Sequence, residues 1–202
     1  MKTIIEVGTK DGYDTHRFLL DPDNLVYSFE PTPELQVFLQ NKFRGHIGYK
    51  NLNLIPAAVD IKDGFTQFNI AAVEDWGCSS LNEFSDNRFN DFPGRDIRTT
   101  HSVKVMTIRL DTFMSIHNIK EVDYLWIDAQ GSDFNVLKGL GDRITDIKEG
   151  KCESAYAADL YKNSNNKTND IVKWLTAKGF NCTINIESRE RKEADIHFKR
   201  MK

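Results

Sequence analysis

Residues 3–13 read Thr3-Ile4-Ile5-Glu6-Val7-Gly8-Thr9-Lys10-Asp11-Gly12-Tyr13, and 25–31 read Leu25-Val26-Tyr27-Ser28-Phe29-Glu30-Pro31. The first is a short apolar run that passes into a glycine turn, which is the pattern of a buried strand followed by a loop. Tyr13 to Leu20 then reads as a short helix stopped by Asp21-Pro22, and Leu25 to Phe29 as a second strand closed by Glu30-Pro31. Glu34 to Phe43 places Leu35, Phe38 and Leu39 at the spacing of one helix face. The chain therefore opens β-α-β-α, and this opening points to an α/β fold built on a mostly parallel sheet.

The pattern continues outward from there. Leu52 to Val59 reads as a third strand, with Gly64 to Ile70 alternating apolar and polar as an exposed strand beside it. Between Val73 and Thr100 regular patterning stops, and Trp76, Phe84, Phe89 and Phe92 are scattered among charged residues, glycines and Pro93. A loop of this length within a domain is usually functional or disordered. Residues 74–100 are expected to form a lid over a bound acceptor, because aromatic faces stack on sugar rings and flat ligands; a loop packing its own small core is the alternative. Val103 to Leu110 resumes as a strand, and Asp111 to His117 as a short helix capped by the aspartate. Tyr124 to Ile127 is a strand ending at Asp128, and Ser132 to Leu140 a helix. By its place in the alternation, Ile147 to Ala155 is a strand. Asp170 to Lys178 is a helix ended by Gly179, and the runs 181–186 and 194–198 form a C-terminal antiparallel hairpin. The expected architecture is one doubly wound domain, with ligands outside the carboxyl ends of the strands, on the loops after Val7, Phe29, Val59 and Ile127.

Composition narrows the function classes. The chain has 202 residues, 40% hydrophobic, with 27 basic and 30 acidic side chains and a net charge of −3. That length suits one domain with a substantial core. The charges are dispersed, so nucleic acid is not favoured as a partner. No apolar run is long enough to span a bilayer, and no signal peptide precedes the first strand. Cys78, Cys152 and Cys182 form no C-x-x-C pair and read as reduced thiols in a cytoplasmic protein. The oligomeric state is not legible.

A strand, a glycine turn and a helix let backbone approach an adenosine ligand, and Gly8 and Gly12 supply the room. Glu30 stands 18 positions after Gly12, at the end of the second strand, where a carboxylate accepts from both hydroxyls of a ribose. The dinucleotide fingerprint started at Gly8 needs glycine at 10 and 13, where this chain has Lys10 and Tyr13. A pyrophosphate would meet side chains there, whereas S-adenosylmethionine brings no phosphate. It is the expected cofactor, held by Glu6, Gly8, Thr9, Lys10, Gly12, Glu30, Pro31, Ala58 and Asp128. A nicotinamide-dependent oxidoreductase and a non-catalytic cofactor-binding module are the alternatives.

With these residues in place the chain resembles the FkbM family of methyltransferases over nearly its whole length. Residues 6–13 resemble the family's opening Asp-x-Gly-Ala-Asn-x-Gly, and Gly77-Cys78-Ser79-Ser80-Leu81 resembles its Ser-Ser-Leu segment. Val105 to Phe113, with Leu110-Asp111-Thr112-Phe113, is similar to its Leu-Asp-x-Leu/Phe stretch. Most specific is Val122 to Asp133, similar to Val-Asp-x-Leu-Lys-Ile-Asp-x-Glu-Gly-x-Glu, followed by Val136-Leu137-Lys138-Gly139. Trp126 replaces the family's lysine, Gln130 its glutamate before the glycine and Asp133 its second glutamate. The resemblance implies a Rossmann-like class I methyltransferase that transfers a methyl group to a hydroxyl, commonly on a sugar or small molecule. It also implies ligand contacts at Ser79 and Ser80.

Methylation of a hydroxyl requires a proton acceptor. Asp128, at the carboxyl end of the fourth core strand, is the candidate general base, with capping of the helix near Ser132 as its structural alternative. Trp76, Ser79, Ser80 and His101 are the candidate acceptor contacts. An Asp128–Glu153 pair would suit magnesium, but no metal is expected.

Overall fold

The computed structural model describes residues 1–72, 77–186 and 192–201. Among the described residues the main sheet has seven strands: β1 (Lys2–Val7), β2 (Asn24–Phe29), β3 (Leu52–Ile55), β7 (Val122–Ile127), β8 (Ile147–Ala155), β9 (Phe180–Asn185) and β10 (Glu193–Arg200). Their order is β3-β2-β1-β7-β8-β10-β9; the first five run parallel, and β10 enters antiparallel between β8 and β9. From β1 the chain winds outward through β2 and β3, then returns to the other side of β1 as β7. The order thus reverses between β1 and β7, and a crevice opens at the carboxyl ends of these two strands.

A second sheet carries the return path, with β6 (Thr99–Ile108) between β4 (Ala58–Val59) and β5 (Gly64–Ala71). This corrects two expectations. Residues 52–59 are two strands in different sheets, because Pro56 offers no N–H to continue a ladder. Residues 64–71 pair with β6 and not with 52–59.

Among the described residues, six α-helices pack around the sheets: α1 (Tyr13–Leu19), α2 (Pro33–Phe43), α3 (Arg88–Asp91), α4 (Leu110–Ile116), α5 (Asp133–Lys138) and α6 (Thr168–Ala177). The buried stripe of α2 is Leu35, Leu39 and Phe43, whereas Phe38 is half exposed with the Lys42 ammonium over its ring. Arg109, in extended conformation, is the N-cap of α4; Asp111 lies in the first turn, bound by the Arg109 guanidinium and accepting the Thr112 N–H at 2.7 Å. α6 ends as expected at Gly179, φ 88°, a left-handed conformation that costs glycine little.

One core unites Ile5, Phe29, Phe113, Leu125, Leu137, Ile171 and Phe198 around the central strands. A separate small core joins Cys78, Phe84, Phe92 and Ile97 to Ala71, Leu160 and Tyr161, so the described part of 74–100 packs against the connection after β8. Among the described residues, no helix is long and apolar enough to cross a membrane.

Candidate active site

The carboxyl ends of β1, β2, β4 and β7 surround a cleft whose empty space, with its open mouth included, is about 610 Å³. Val7, Gly8, Phe29, Leu35, Ala57, Ala58, Phe68 and Leu81 supply apolar lining, and Glu30 and Asp128 line it as well.

Glu30 is placed by the end of its strand. Its N–H still donates to Ile55 O at 3.1 Å, and Pro31 then stops the ladder so that the carboxylate folds back beside the glycine loop. One carboxylate oxygen accepts the Lys10 N–H at 2.9 Å, the other the Thr32 N–H at 2.8 Å. Lys10 can present that N–H because it adopts a positive φ of 52°. Glu30 is only 4% exposed, and burial raises its carboxyl above the ordinary range while the bonds from Thr32 and Lys10 oppose the rise. Each oxygen keeps a lone pair for a further donor.

The two loop glycines do different work. A Cβ on Gly8, φ 89°, would lie 1.9 Å from Asp128 O, so the close approach of β1 to β7 demands glycine there. A Cβ on Gly12, φ 72°, would strike Phe43 and Leu39 at 2.7 and 2.8 Å. Gly12 thus seats α2 and lies outside the cleft lining. Glu6 and Thr9 are likewise buried behind the cleft. Glu6 Oε2 accepts from Thr15 Oγ1 at 2.5 Å and Ser28 Oγ at 2.6 Å, fixing α1 to β2, and burial pushes its carboxyl up to about 7. Thr9 Oγ1 donates to Phe29 O at 3.1 Å. Gly8, Lys10, Glu30, Pro31, Ala58 and Asp128 are the expected cofactor residues that the fold brings together in the cleft.

Asp128 continues β7, donating its N–H to Val7 O at 2.9 Å. Its Oδ1 accepts Gln130 Nε2 at 2.5 Å, and the same nitrogen lies 3.4 Å from Glu153 Oε2. Burial raises the Asp128 carboxyl, against the Gln130 bond and the charges of Lys151 and Lys10. Burial and then the Asp128 charge push Glu153 well above the carboxylate range. Asp133 is fully buried and raised to about 7, mainly by burial; it accepts the Glu153 N–H at 3.1 Å and Asn166 Nδ2 at 3.3 Å, tying α5 to β8. Among the described residues, no group of three or more His, Cys, Asp or Glu is arranged to hold a metal ion.

Ser79 lines the cleft and accepts the Ala71 N–H on Oγ at 3.0 Å. Ser80 is buried, and its Oγ donates to Gln130 O at 2.6 Å, fastening the 77–81 loop to the one after β7. His101 sits exposed on β6 beside Thr100 Oγ1, away from the cleft lining, and Trp76 lies outside the described residues. Sequence reasoning missed Tyr161, whose hydroxyl reaches both Gln130 and the Cys78 carbonyl from the connection after β8. No spacing motif surrounds it. It also missed Phe68 and Leu81, apolar walls supplied by the second sheet and the loop after it.

The sequence pattern described as the methyltransferase FkbM domain matches residues 6–182. The 2-O-methyltransferase NoeI of Sinorhizobium fredii (strain NBRC 101917 / NGR234) is 26% identical over 148 residues, covering 70% of this chain and 58% of that protein. This chain therefore spans less than two thirds of that relative's length. Among solved structures, methyltransferase FkbM from Methylobacillus flagellatus KT is similar with a TM-score of 0.59 and 11% identity, over 98% of this chain and 43% of that one. Fibrillarin from Aeropyrum pernix, solved with S-adenosyl-L-methionine, has a TM-score of 0.51 and 13% identity, over 98% of this chain and 66% of that one. At such identities the structural likeness concerns the fold.

Proposed function

The chain belongs to the FkbM methyltransferase family, and from that premise we propose that it is an S-adenosylmethionine-dependent O-methyltransferase acting on a hydroxyl of a sugar or other small molecule. The observation that carries the reading is the buried Glu30 carboxylate at the end of β2, in the cleft lining, with one backbone N–H on each oxygen and one lone pair per oxygen uncommitted. That donor demand fits a vicinal diol, and the apolar wall of Leu35, Ala57, Ala58 and Phe68 fits a purine. Lys10 and Tyr13 in place of fingerprint glycines speak against a pyrophosphate and hence against a nicotinamide enzyme.

S-adenosylmethionine supplies a methyl group already activated on a sulfonium. The protein's tasks are then to orient an acceptor oxygen and to take its proton. Asp128 is the proton acceptor, a role that typically contributes about 10² to 10⁴-fold. Gln130 orients its carboxylate through the amide bond at 2.5 Å, and the raised affinity of Asp128 for a proton suits it to the task. The acceptor side is the loop that brings Gly77, Ser79 and Leu81 into the cleft wall. The relative's name, a 2-O-methyltransferase, favours oxygen as the atom methylated. Three free thiols suit a reducing compartment such as the cytoplasm. The test is a methyl-transfer screen over glycans, hydroxylated metabolites and capped RNA, read by mass spectrometry. Methylation of a sugar or metabolite hydroxyl supports the proposal; methylation confined to RNA, or on nitrogen, overturns it.

A further inference from the structure

Three separate parts of the chain meet at the phenol of Tyr161. Its oxygen lies 2.8 Å from Gln130 Oε1 and 2.9 Å from the Cys78 carbonyl oxygen, yet it has a single proton to give. While Asp128 is ionised, the Gln130 amide must turn its nitrogen to it, because an amide oxygen 2.5 Å from a carboxylate oxygen would set lone pairs against each other. Gln130 Oε1 then faces Tyr161 and receives its proton.

When Asp128 carries a proton, the opposite set of bonds becomes available. The Asp128 O–H donates to Gln130 Oε1 after a half-turn of the amide, Gln130 Nε2 donates to the Tyr161 oxygen, and the Tyr161 O–H points to the Cys78 carbonyl. In each state the Tyr161 hydroxyl and one Gln130 N–H find an acceptor within the set, as buried polar groups usually do, and in the ionised state the second Gln130 N–H faces Glu153 Oε2 at 3.4 Å. We propose that Asp128, Gln130, Tyr161 and the Cys78 carbonyl form a two-state relay, in which a proton arriving on Asp128 turns the Gln130 amide and swings the Tyr161 hydroxyl onto the 77–81 loop. No covalent bond of Tyr161 breaks. The one proton transferred passes from the acceptor hydroxyl to the Asp128 carboxylate, and the rest of the relay only rotates.

Gln130 and Tyr161 are thus positioning residues, and the loop they address contributes Gly77, Ser79 and Leu81 to the cleft. The other charges acting on Asp128 are Lys10 from the loop after β1, Lys151 and Glu153 on β8, Asp133 on α5 and Asp195 on β10. The lysines favour the ionised state and the carboxylates the protonated one. Because the carboxylates interact, the titration has to be followed at Asp128 itself.

The inference rests on the proposed function only for the source of the proton, so its test uses the cofactor-free protein. In a ¹³C NMR titration, the Asp128 side-chain carboxyl and the Cys78 backbone carbonyl are expected to shift with one midpoint. Tyr161→Phe, which keeps the ring stacked on Phe84, should silence Cys78 while Asp128 still titrates. Gln130→Leu should also silence it and raise the proton affinity of Asp128 about tenfold, since the charged-state bond lost is the stronger one. A Cys78 carbonyl that stays still in the wild type as Asp128 titrates, or that still follows Asp128 in either variant, overturns the relay. Absence of methyl transfer by the wild type would instead count against the proposed function.

Discussion

Replacing Glu30 with glutamine removes the charge while keeping the length of the side chain. In the folded protein, each Glu30 oxygen is committed to one backbone donor, Lys10 N–H at 2.9 Å and Thr32 N–H at 2.8 Å, and has one lone pair left. A bound ribose diol would use both. Glutamine offers one oxygen, so one ribose bond to a charged acceptor is lost, worth roughly 1.5–3 kcal/mol. At about 2 kcal/mol, the dissociation constant of S-adenosylmethionine rises about 30-fold. The amide nitrogen must also face one of the two backbone N–H groups, so the variant should be less stable by about 1–3 kcal/mol. Glu30→Ala loses both ribose bonds and should bind more weakly still. Calorimetry with S-adenosylmethionine and S-adenosylhomocysteine measures the effect, with circular dichroism confirming the fold. A folded Glu30→Gln protein that binds both within twofold of the wild type would refute the assignment of Glu30 to the ribose.

Asp128→Asn should lower kcat by about 10² to 10⁴-fold and change cofactor affinity far less, because asparagine retains an oxygen for the Gln130 amide but cannot take a proton; equal losses in both, measured by kinetics and calorimetry, would count against it. Glu6 takes up protons more readily folded than unfolded, with its carboxyl raised from 4.5 to about 7. Its contribution is therefore intact below pH about 4.5 and is lost as pH rises toward about 7, a change on the order of 3 kcal/mol. Glu6→Gln, which can keep an oxygen facing Thr15 and Ser28, should gain stability relative to the wild type across that window. Urea unfolding at several pH values measures the difference, and a constant difference would contradict it. Gly8→Ala should cost roughly 3 kcal/mol through its positive φ and the backbone oxygen 1.9 Å from the new Cβ, so unchanged thermal stability would show the loop can relax.

Much of the fold was legible because local pattern and tertiary role agree. The ends of β1, α1, β2 and α2 follow from glycines and prolines that act within a residue or two, and Glu30 could be placed on the rim from strand length alone. Residues 52–59 read as one strand because their apolar character runs through Pro56, and only the pairing partners reveal the change of sheet. Gly12 looked like a ligand contact, although its missing Cβ makes room for Phe43, 31 residues away in sequence. The motif around Asp128 marked the rim correctly. Tyr161 stayed hidden because its role depends on a hydrogen bond to Cys78, 83 positions earlier. His101 drew notice through its nearness to a motif, and the fold carries it out to an exposed strand.

A structure determined with S-adenosylhomocysteine bound tests the central claim most directly. The ribose hydroxyls should lie within hydrogen-bond distance of the two Glu30 oxygens, with the purine against Leu35 and Phe68. A ligand seated elsewhere, or a ribose that leaves Glu30 bonded only to Lys10 and Thr32, would contradict it.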